Sequence, residues 1–258
     1  MRLRSNLLIL QARMGSTRLP GKVMKAIAGR PLIRYQIDRI RESKYLNEMI
    51  VAIPKGREDD ILYDYLSSLC VTTSRGDLYD VLSRFEEAVM NSSAEVIIRS
   101  TADCPLFMSD ILDEMLEEFD SSDLDYMSNA IVPTFPDGLD IEIFTREAFL
   151  TLAKSKLTSE QREHVTLGFY DGTYNFKVKN FENCTNLSSE RWTVDYIEDF
   201  EFISEVFTKT HAYVNLTDVL VLLSENPSLR NAMPGNLRNI SLKKGISDEQ
   251  VNEIREFN

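Results

Sequence analysis

The sequence predicts an α/β fold in which a mostly parallel sheet is covered by helices on both faces. Short apolar runs recur along the chain and alternate with segments whose apolar residues have helical spacing. Apolar runs of this kind are typical of parallel strands buried on both faces. A chain of 258 residues suits one large domain, or a core with a small lobe.

The first half of the chain supplies the core elements in order. Apolar strands are predicted at 7–10, 48–54, 70–73 and 94–99. Helices are predicted between them at 31–43, 58–69 and 77–90, and a fourth amphipathic helix follows its expected cap, Ser109. This alternation is the pattern of a parallel sheet with helical crossovers.

After Tyr126 the pattern changes. Segments 139–144 and 174–179 alternate apolar and polar residues, which predicts half-buried, antiparallel strands in a smaller lobe at about 130–190. A core strand at 191–195 and a helix at 197–207 complete a domain over 1–225. Residues 226–258 are expected to form a C-terminal extension with a last helix from Asp248.

Composition and charge exclude several classes of protein. The net charge of −12 argues against general nucleic-acid binding, which requires a basic surface. The sequence has no run of about 18 apolar residues, so no membrane span is predicted. The apolar run at 7–10 is too short for a signal peptide, and the three cysteines lie far apart. We therefore expect a cytoplasmic protein that does not bind membranes.

The basic residues are concentrated at the start of the chain. Residues 1–37 contain eight lysines and arginines and no acid. Within this block, the loop after the first strand combines glycines, hydroxyl groups and cations, a set that suits phosphate groups. The expected nucleotide-binding residues are Gln11, Ala12, Arg13, Gly15, Ser16, Arg18 and Lys22. An ordinary basic loop is the alternative for any single arginine, and neither GxxxxGK[ST] nor GxGxxG is present.

Two aspartates are candidate metal ligands. Asp103 follows the strand at 94–99, and Asp195 ends the strand predicted at 191–195. Because the carboxyl ends of parallel strands meet at one edge of a sheet, both are expected near the phosphate loop. Mg²⁺ typically takes one or two carboxylates together with substrate phosphates. The alternative for Asp195, which directly precedes a predicted helix, is a helix cap.

Six motifs stand in a characteristic order along the chain: ARMGSTRLPGK, SRGDLYDVLSRF, RSTADCPL, YMSNAIVPTFPDGLDIEIF, REHVT and RWTVDYIEDFEFI. They resemble the cytidylyltransferases that activate acidic sugars, such as the 3-deoxy-manno-octulosonate and acylneuraminate enzymes. The resemblance is strongest to the branch named for spore coat polysaccharide biosynthesis protein F, and it covers roughly residues 5–207. One departure is Ala102, where the better-known members carry glycine before the aspartate.

The resemblance implies a Rossmann-like, GT-A-like nucleotidyltransferase that transfers CMP from CTP to an acidic sugar or similar small acceptor, releasing pyrophosphate. It implies Mg²⁺ held by Asp103 and Asp195, and a catalytic set of Arg13, Lys22 and the same two aspartates. Thr101 and Arg75 join the expected nucleotide site, Arg75 beside the base. Related enzymes pair through the smaller lobe, which implies a homodimer.

The acceptor site is expected from the second half of the chain. Its candidates are residues that could bind sugar hydroxyls or clamp an acid: Asn129, Asp140, Glu142, Arg162, His164 and Arg191. Asp140 and Glu142 could equally form a polar outer face, and His164 could be structural. A glycosyltransferase and a non-catalytic nucleotide-binding subunit are the competing functions, and the acceptor's identity and the number of metal ions stay open.

Overall fold

The computed structural model describes residues 3–210 and 213–231. Strands in this part of the chain are β1 (Asn6–Gln11), β2 (Ala26–Ile27), β3 (Arg30–Pro31), β4 (Glu48–Pro54), β5 (Thr73–Gly76), β6 (Val96–Thr101), β7 (Tyr126–Ser128), β8 (Glu142–Thr145) and β9 (Val178–Asn180). Helices are α1 (Leu32–Ile40), α2 (Asp60–Ser68), α3 (Val81–Met90), α4 (Ser109–Asp120), α5 (Arg146–Ala153), α6 (Ser159–His164), α7 (Leu167–Tyr170), α8 (Ile197–Lys209), α9 (Leu216–Glu225) and α10 (Pro227–Asn231).

Among the described residues, seven strands form one sheet in the order β5-β4-β1-β6-β8-β7-β9. Neighbours are parallel except that β8 runs antiparallel to both β6 and β7. The strand β1 lies between β4 and β6, and Gln11 at its end pairs with Thr101 at the end of β6. The loops after β1 and β6 therefore leave the sheet side by side.

Alternation along β1 builds a core on each face of the sheet. Leu8 and Leu10 pack in one hydrophobic cluster with α1, α2, α4, α8 and α9. Leu7 and Ile9 pack in the other with α3, α5 and α7. All four side chains are fully buried, as expected for a parallel strand covered on both sides. The prediction of a mostly parallel sheet with helices on both faces is confirmed.

The antiparallel elements agree with the prediction only in part. Segment 139–144 contributes β8, which is antiparallel but inserted into the main sheet, where Ile143 and Phe144 are fully buried. Segment 174–179 contributes only β9, which is parallel to β7. The separate antiparallel sheet is β2 with β3, closed by Ala28 and Gly29 at φ 47° and 79°. Positive φ at both turn residues is typical of a two-residue hairpin.

Segment 191–195 is not a strand. Arg191 makes a single bridge to Asp137, and the residues after it are irregular although Trp192 and Val194 are fully buried. Ser109 is the first residue of α4 and Met108 occupies the cap position, so the predicted serine cap is also wrong. The boundary at residue 226 stays a prediction, because residues 232–258 and the helix expected from Asp248 lie outside the described residues.

Candidate active site

A cleft opens where β1 and β6 end. Beside it, a pocket of about 160 Å³ lies between the loop that follows β1 and the segment that follows β6. The cleft itself has a volume of about 700 Å³ and extends toward β7, β8 and the end of α6. Arg18, Thr101, Asp103 and Asp195 line both spaces, so the small pocket and the larger cleft meet at these residues.

The loop after β1 folds back on itself through its own backbone. The Ser16 and Gly21 amides both donate to the Met14 carbonyl at 2.9 Å. Gly21 has φ 70°, a left-handed conformation that glycine adopts without steric cost. The Leu19 amide donates to Ser16 Oγ at 3.3 Å. These turns bring Lys22 from the loop back to the strand ends.

Lys22 joins the two aspartates. Its Nζ donates to Asp103 Oδ2 at 2.9 Å, to Asp195 Oδ1 at 3.0 Å and to the Val194 carbonyl at 2.7 Å. The side chain is 11% exposed. Burial alone would lower the pKa of Lys22, but the Asp103 and Asp195 carboxylates outweigh burial and raise it. Lys22 is therefore a charged ammonium, and its charge lies between the carboxylates.

The Asp103 carboxyl is held ionised. Burial alone would raise its pKa, but the Lys22 ammonium and hydrogen bonds from Thr101 and Lys22 keep the pKa well below its usual range. The Thr101 hydroxyl donates to Asp103 Oδ1 at 2.6 Å. On the solvent side, Arg18 pairs with Asp195 Oδ1 at 2.9 Å and lies 5.4 Å from the Tyr196 ring centre.

Asp195 is not a helix cap. The N-cap residue of α8 is Tyr196, and Asp199 in the first turn accepts from the Asp195 and Tyr196 amides through Oδ2 at 2.8 and 2.9 Å. The cap interpretation of Asp195 is therefore excluded, and its carboxylate is directed toward Lys22 and Arg18. Asp103 and Asp195 each present a carboxylate oxygen to the Lys22 ammonium. Carboxylate oxygens are hard ligands, so the same two side chains could hold a metal ion.

Arg191 fixes the segment that carries Asp195. Its guanidinium donates to Asp199 at 2.9 Å, to Asp137 at 2.8 Å and to Asp195 at 3.3 Å. The backbone beneath is tightly packed, because a Cβ on Gly138 would lie 2.5 Å from the Thr193 amide nitrogen. This network replaces the strand that the sequence predicted as the support for Asp195.

The far end of the cleft is organised by Glu142. Its carboxylate pairs with Arg99 and accepts hydrogen bonds from the Tyr126 hydroxyl, at 2.7 Å, and from the Thr166 hydroxyl. Thr166 reaches it from a γ-turn centred on Val165, which has φ 60° and ψ −57°. Such a backbone is strained for a β-branched residue, and strain of this kind concentrates at functional sites.

Most predicted nucleotide residues are brought together. Those that line the small pocket are Gln11, Ala12, Arg13, Ser16, Arg18, Lys22, Thr101 and Asp103. Gly15 and Arg75 line neither the pocket nor the cleft. The Arg75 guanidinium pairs with Asp60 at 2.8 Å and donates to the Gly56 carbonyl at 3.0 Å. Arg75 is therefore engaged outside the pocket and the cleft, and its role beside the base stays a prediction.

The acceptor candidates divide in the same way. Asp140, Glu142, His164 and Arg191 line the cleft, so Asp140 and Glu142 are not a polar outer face. Arg162 and Asn129 do not line it. Arg162 Nε and Nη2 both donate to Asp80 Oδ2, at 2.9 and 2.6 Å, where α6 contacts the start of α3. The Asn129 amide satisfies the Leu139 carbonyl and the Ile141 amide at 2.8 Å each.

Sequence reasoning missed Arg99, Tyr126 and Thr166. Arg99 follows the apolar residues of β6, a strand covered on both faces, and a charge at such a position needs a buried partner. That signal was present in the sequence, but the partner lies 43 residues away on β8. Tyr126 and Thr166 gave no signal of their own, because a tyrosine and a threonine beside buried segments are common.

In residues 3–210 and 213–231, no helix is long and apolar enough to cross a membrane. Within the same ranges, no group of three or more histidine, cysteine or carboxylate side chains is arranged to hold a metal ion. A metal at Asp103 and Asp195 would thus need substrate or water oxygens to complete its coordination.

Comparison with known proteins shows which family the chain resembles. The model of the cytidylyltransferase family matches residues 7–225. An uncharacterized protein of Methanocaldococcus jannaschii is 33% identical over 92% of this chain and 97% of its own. The spore coat polysaccharide biosynthesis protein SpsF of Bacillus subtilis is 30% identical over 86% and 95%. A solved cytidylyltransferase from Leptospira borgpetersenii is 28% identical with a TM-score of 0.84, over 90% and 98%. The chain belongs to the cytidylyltransferase family.

Proposed function

We propose that the chain transfers CMP from CTP to a hydroxyl group of a small sugar-type acceptor and releases pyrophosphate. The proposal rests on one observation. Lys22, Asp103 and Asp195 meet where the small pocket joins the larger cleft. One space suits a triphosphate and the other a second substrate. Membership of the cytidylyltransferase family supports CTP as the donor.

The reaction is a displacement at the α-phosphorus of CTP. The acceptor oxygen forms a bond to this phosphorus and loses its proton, while the bond to the β-phosphate bridging oxygen breaks and that oxygen leaves with pyrophosphate. In such transfers the protein contributes positioning and charge stabilisation. The Lys22 ammonium, together with Arg13 and Arg18 of the loop, would offset the charge on the triphosphate and on the leaving group.

Mg²⁺ is part of the proposal. The donor set fits, because Asp103 and Asp195 present two carboxylate oxygens within 3.0 Å of one cationic nitrogen. Two carboxylates with substrate phosphates are a usual protein contribution to a magnesium site. When bound there, the ion would neutralise phosphate charge and favour ionisation of the attacking hydroxyl. Asp103, already ionised, would hold it without first losing a proton.

The biological setting follows by likeness to the relatives. SpsF is named for spore coat polysaccharide biosynthesis, and we place this chain in the synthesis of a surface polysaccharide or glycoconjugate, in the cytoplasm where CTP is available. The glycosyltransferase alternative lacks support, since the DxD metal motif it would need is absent around Asp103-Cys104-Pro105.

A homodimer is a separate proposal. The strand β9 pairs with β7 and ends the sheet, so its outer edge has no strand partner among the described residues. Phe176 beside it is only partly buried, whereas Phe144 is buried inside its own chain. Exposed strand edges are usually covered or paired in stable proteins. Light scattering at micromolar concentration should give the mass of two chains, and a monomer mass would contradict the proposal.

Calorimetry with CTP and Mg²⁺ tests the core of the proposal. Lys22→Met should weaken CTP binding at least about tenfold, because it removes a buried charge aimed at the phosphates. Lys177→Met is the matched control, since Lys177 is exposed and pairs with Asp123 outside the cleft. Chelation of Mg²⁺ should abolish pyrophosphate release from CTP. Equal binding of CTP, ATP and GTP, or unchanged binding by Lys22→Met, would contradict the proposal.

A further inference from the structure

A carboxylate outside the cleft is bound to the loop that follows β1. The amide of Met14, in this loop, donates to Asp59 Oδ1 at 2.7 Å. Asp59 lies 45 positions further along the chain, in the segment between β4 and α2. It lines neither the small pocket nor the cleft. The contact between Asp59 and the two spaces is therefore indirect and runs through the loop.

Met14 is the residue on which the loop closes. Its carbonyl accepts from the Ser16 and Gly21 amides, both at 2.9 Å, so the later part of the loop returns to this point. Asp59 holds the amide of the same residue. Lys22 follows Gly21 directly and joins the two aspartates at the strand ends. A displacement of Met14 would therefore move Gly21 and, with it, the backbone of Lys22.

The ordinary role of an aspartate at this position is helix capping. Asp59 occupies the N-cap position of α2, where an aspartate side chain usually accepts from amides of the first helical turn. Its side chain makes no such bond. The carboxylate is directed to the loop after β1 instead, so the helix that Asp59 precedes does not explain its placement.

The carboxylate is also poorly suited to a purely stabilising role. Asp59 is fully buried, and its Oδ2 has no hydrogen-bond partner among the residues that the structure describes. Burial raises the pKa of Asp59, and the hydrogen bond from the Met14 amide offsets this only in part. Glu58 adds to the rise in pKa, whereas Arg75 and Arg84 oppose it. A carboxyl group whose pKa is raised on folding opposes folding when it is ionised.

We propose that Asp59 is a positioning residue for the nucleotide. Its side chain holds Met14, and through Met14 the closed shape of the loop that presents Lys22 at the strand ends. The inference rests on the proposed function, because it assigns a further residue to the binding of the same triphosphate. A carboxylate and a triphosphate carry charge of the same sign, so the favourable contribution of Asp59 is its hydrogen bond to the loop.

Calorimetry with CTP and Mg²⁺ tests the proposal on three variants. Asp59→Ser keeps a helix-capping residue before α2, but its side chain is one bond shorter and loses the contact with Met14. The dissociation constant of CTP should rise at least about tenfold, as expected when a hydrogen bond to a charged group is lost. Asp59→Asn keeps an acceptor oxygen in place, and its dissociation constant should stay within about threefold of the original value.

Asp113→Ser is the matched control. Asp113 is also buried and also accepts from the backbone of a distant loop, at the Lys44 amide at 3.1 Å, but it lines neither the small pocket nor the cleft. Its substitution should leave the dissociation constant of CTP unchanged. The melting temperature of Asp59→Ser should lie within about 4 °C of the original value, so that a general loss of stability does not account for weaker binding.

Amide hydrogen exchange without nucleotide reports on the loop itself. In Asp59→Ser the Ser16 and Gly21 amides should exchange at least about tenfold faster, because their bonds to Met14 open more often once Met14 is released. In Asp59→Asn and in Asp113→Ser the exchange of these two amides should be unchanged. This measurement does not depend on whether the chain binds CTP.

The outcomes separate the two proposals. The positioning role would be overturned by unchanged CTP binding in Asp59→Ser, by an equal loss in Asp59→Asn or Asp113→Ser, or by an Asp59→Ser chain that does not fold. In the last case Asp59 would be a residue of the folded core. Faster exchange in Asp59→Ser with no CTP binding by any form would keep the anchoring of the loop and remove the proposed function. CTP binding that Asp59→Ser leaves unchanged would do the opposite.

Discussion

The two ends of the cleft are built in different ways. The nucleotide end is formed largely by one continuous segment, residues 11–22, whose backbone turns carry Lys22 to the two aspartates. The acceptor end is assembled from β6, β7, β8 and the turn after α6, whose side chains meet around Glu142. A contiguous phosphate loop can be recognised in a sequence, whereas a pocket made from several strands cannot.

The two ends also differ in their relation to stability. Arg18 at the nucleotide end is 49% exposed, so it can change partners when a triphosphate arrives. The Arg99 and Glu142 side chains at the acceptor end are only 15% and 11% exposed. Substitutions of Arg18 and of Asp103, whose side chain is 26% exposed, should therefore affect turnover more than folding, and substitutions of Arg99 or Glu142 should affect folding more than turnover.

The largest effect is expected for Glu142→Gln. It leaves the Arg99 guanidinium buried without its carboxylate, and the free energy of unfolding should fall by about 3 kcal/mol in urea titrations. Replacing both partners by apolar residues, Arg99→Met with Glu142→Leu, should recover most of the loss. Glu118→Gln is the control, because the Lys179–Glu118 pair is about one-third exposed and should contribute less than about 1 kcal/mol. Equal losses of unfolding free energy in Glu142→Gln and Glu118→Gln would contradict the expected difference between a buried and an exposed ion pair.

Asp103→Asn tests the nucleotide end. Pyrophosphate release from CTP should fall at least about a hundredfold, which corresponds to about 2.7 kcal/mol of transition-state stabilisation. The free energy of unfolding should change by less than about 1 kcal/mol, since Lys22 keeps Asp195 and the Val194 carbonyl as partners. Asp123→Asn should leave the rate unchanged. A variant that unfolds instead of losing rate would show that Asp103 is mainly structural.

Gly138→Ala tests the packing beneath Asp195. Gly138 has φ 105°, and an added Cβ would lie 2.5 Å from the Thr193 nitrogen, so backbone atoms must move. We expect a loss of about 2 kcal/mol in the free energy of unfolding, together with slower pyrophosphate release. Gly15→Ala is the matched control at the nucleotide end, where the nearest atom to a new Cβ is 3.6 Å away. Similar melting temperatures for both variants would contradict the expectation.

The smallest effect is expected for Arg162→Ala. The sequence suggested a clamp for an acidic acceptor, but the side chain pairs with Asp80 away from the cleft. The dissociation constants of sugars measured by NMR should change less than about twofold. Stability should fall by about 0.5 kcal/mol, as is usual for a partly exposed ion pair. A large loss of sugar binding would return Arg162 to the acceptor site.

The sequence by itself predicted the parallel strands of the sheet and most residues of the small pocket. Apolar runs with helices between them predict parallel strands, because each such strand must be covered on both faces. The loop at 11–22 was recognisable because its glycines, hydroxyls and cations are neighbours in the chain. The position of Asp103 could be predicted because it follows β6. The carboxyl ends of adjacent parallel strands lie at the same edge of a sheet, independently of the rest of the fold.

Only the tertiary structure decided the acceptor end. The alternation of apolar and polar residues in 139–144 predicted an antiparallel strand. It could not predict that this strand is inserted between β6 and β7, because strand order depends on contacts between distant segments. The same reason applies to Arg162, which pairs with a residue 82 positions away, and to Asp195, which is placed by Arg191 and Gly138 rather than by a strand. Local patterns show which residues are buried or charged, and the choice of partner is made by packing across the chain.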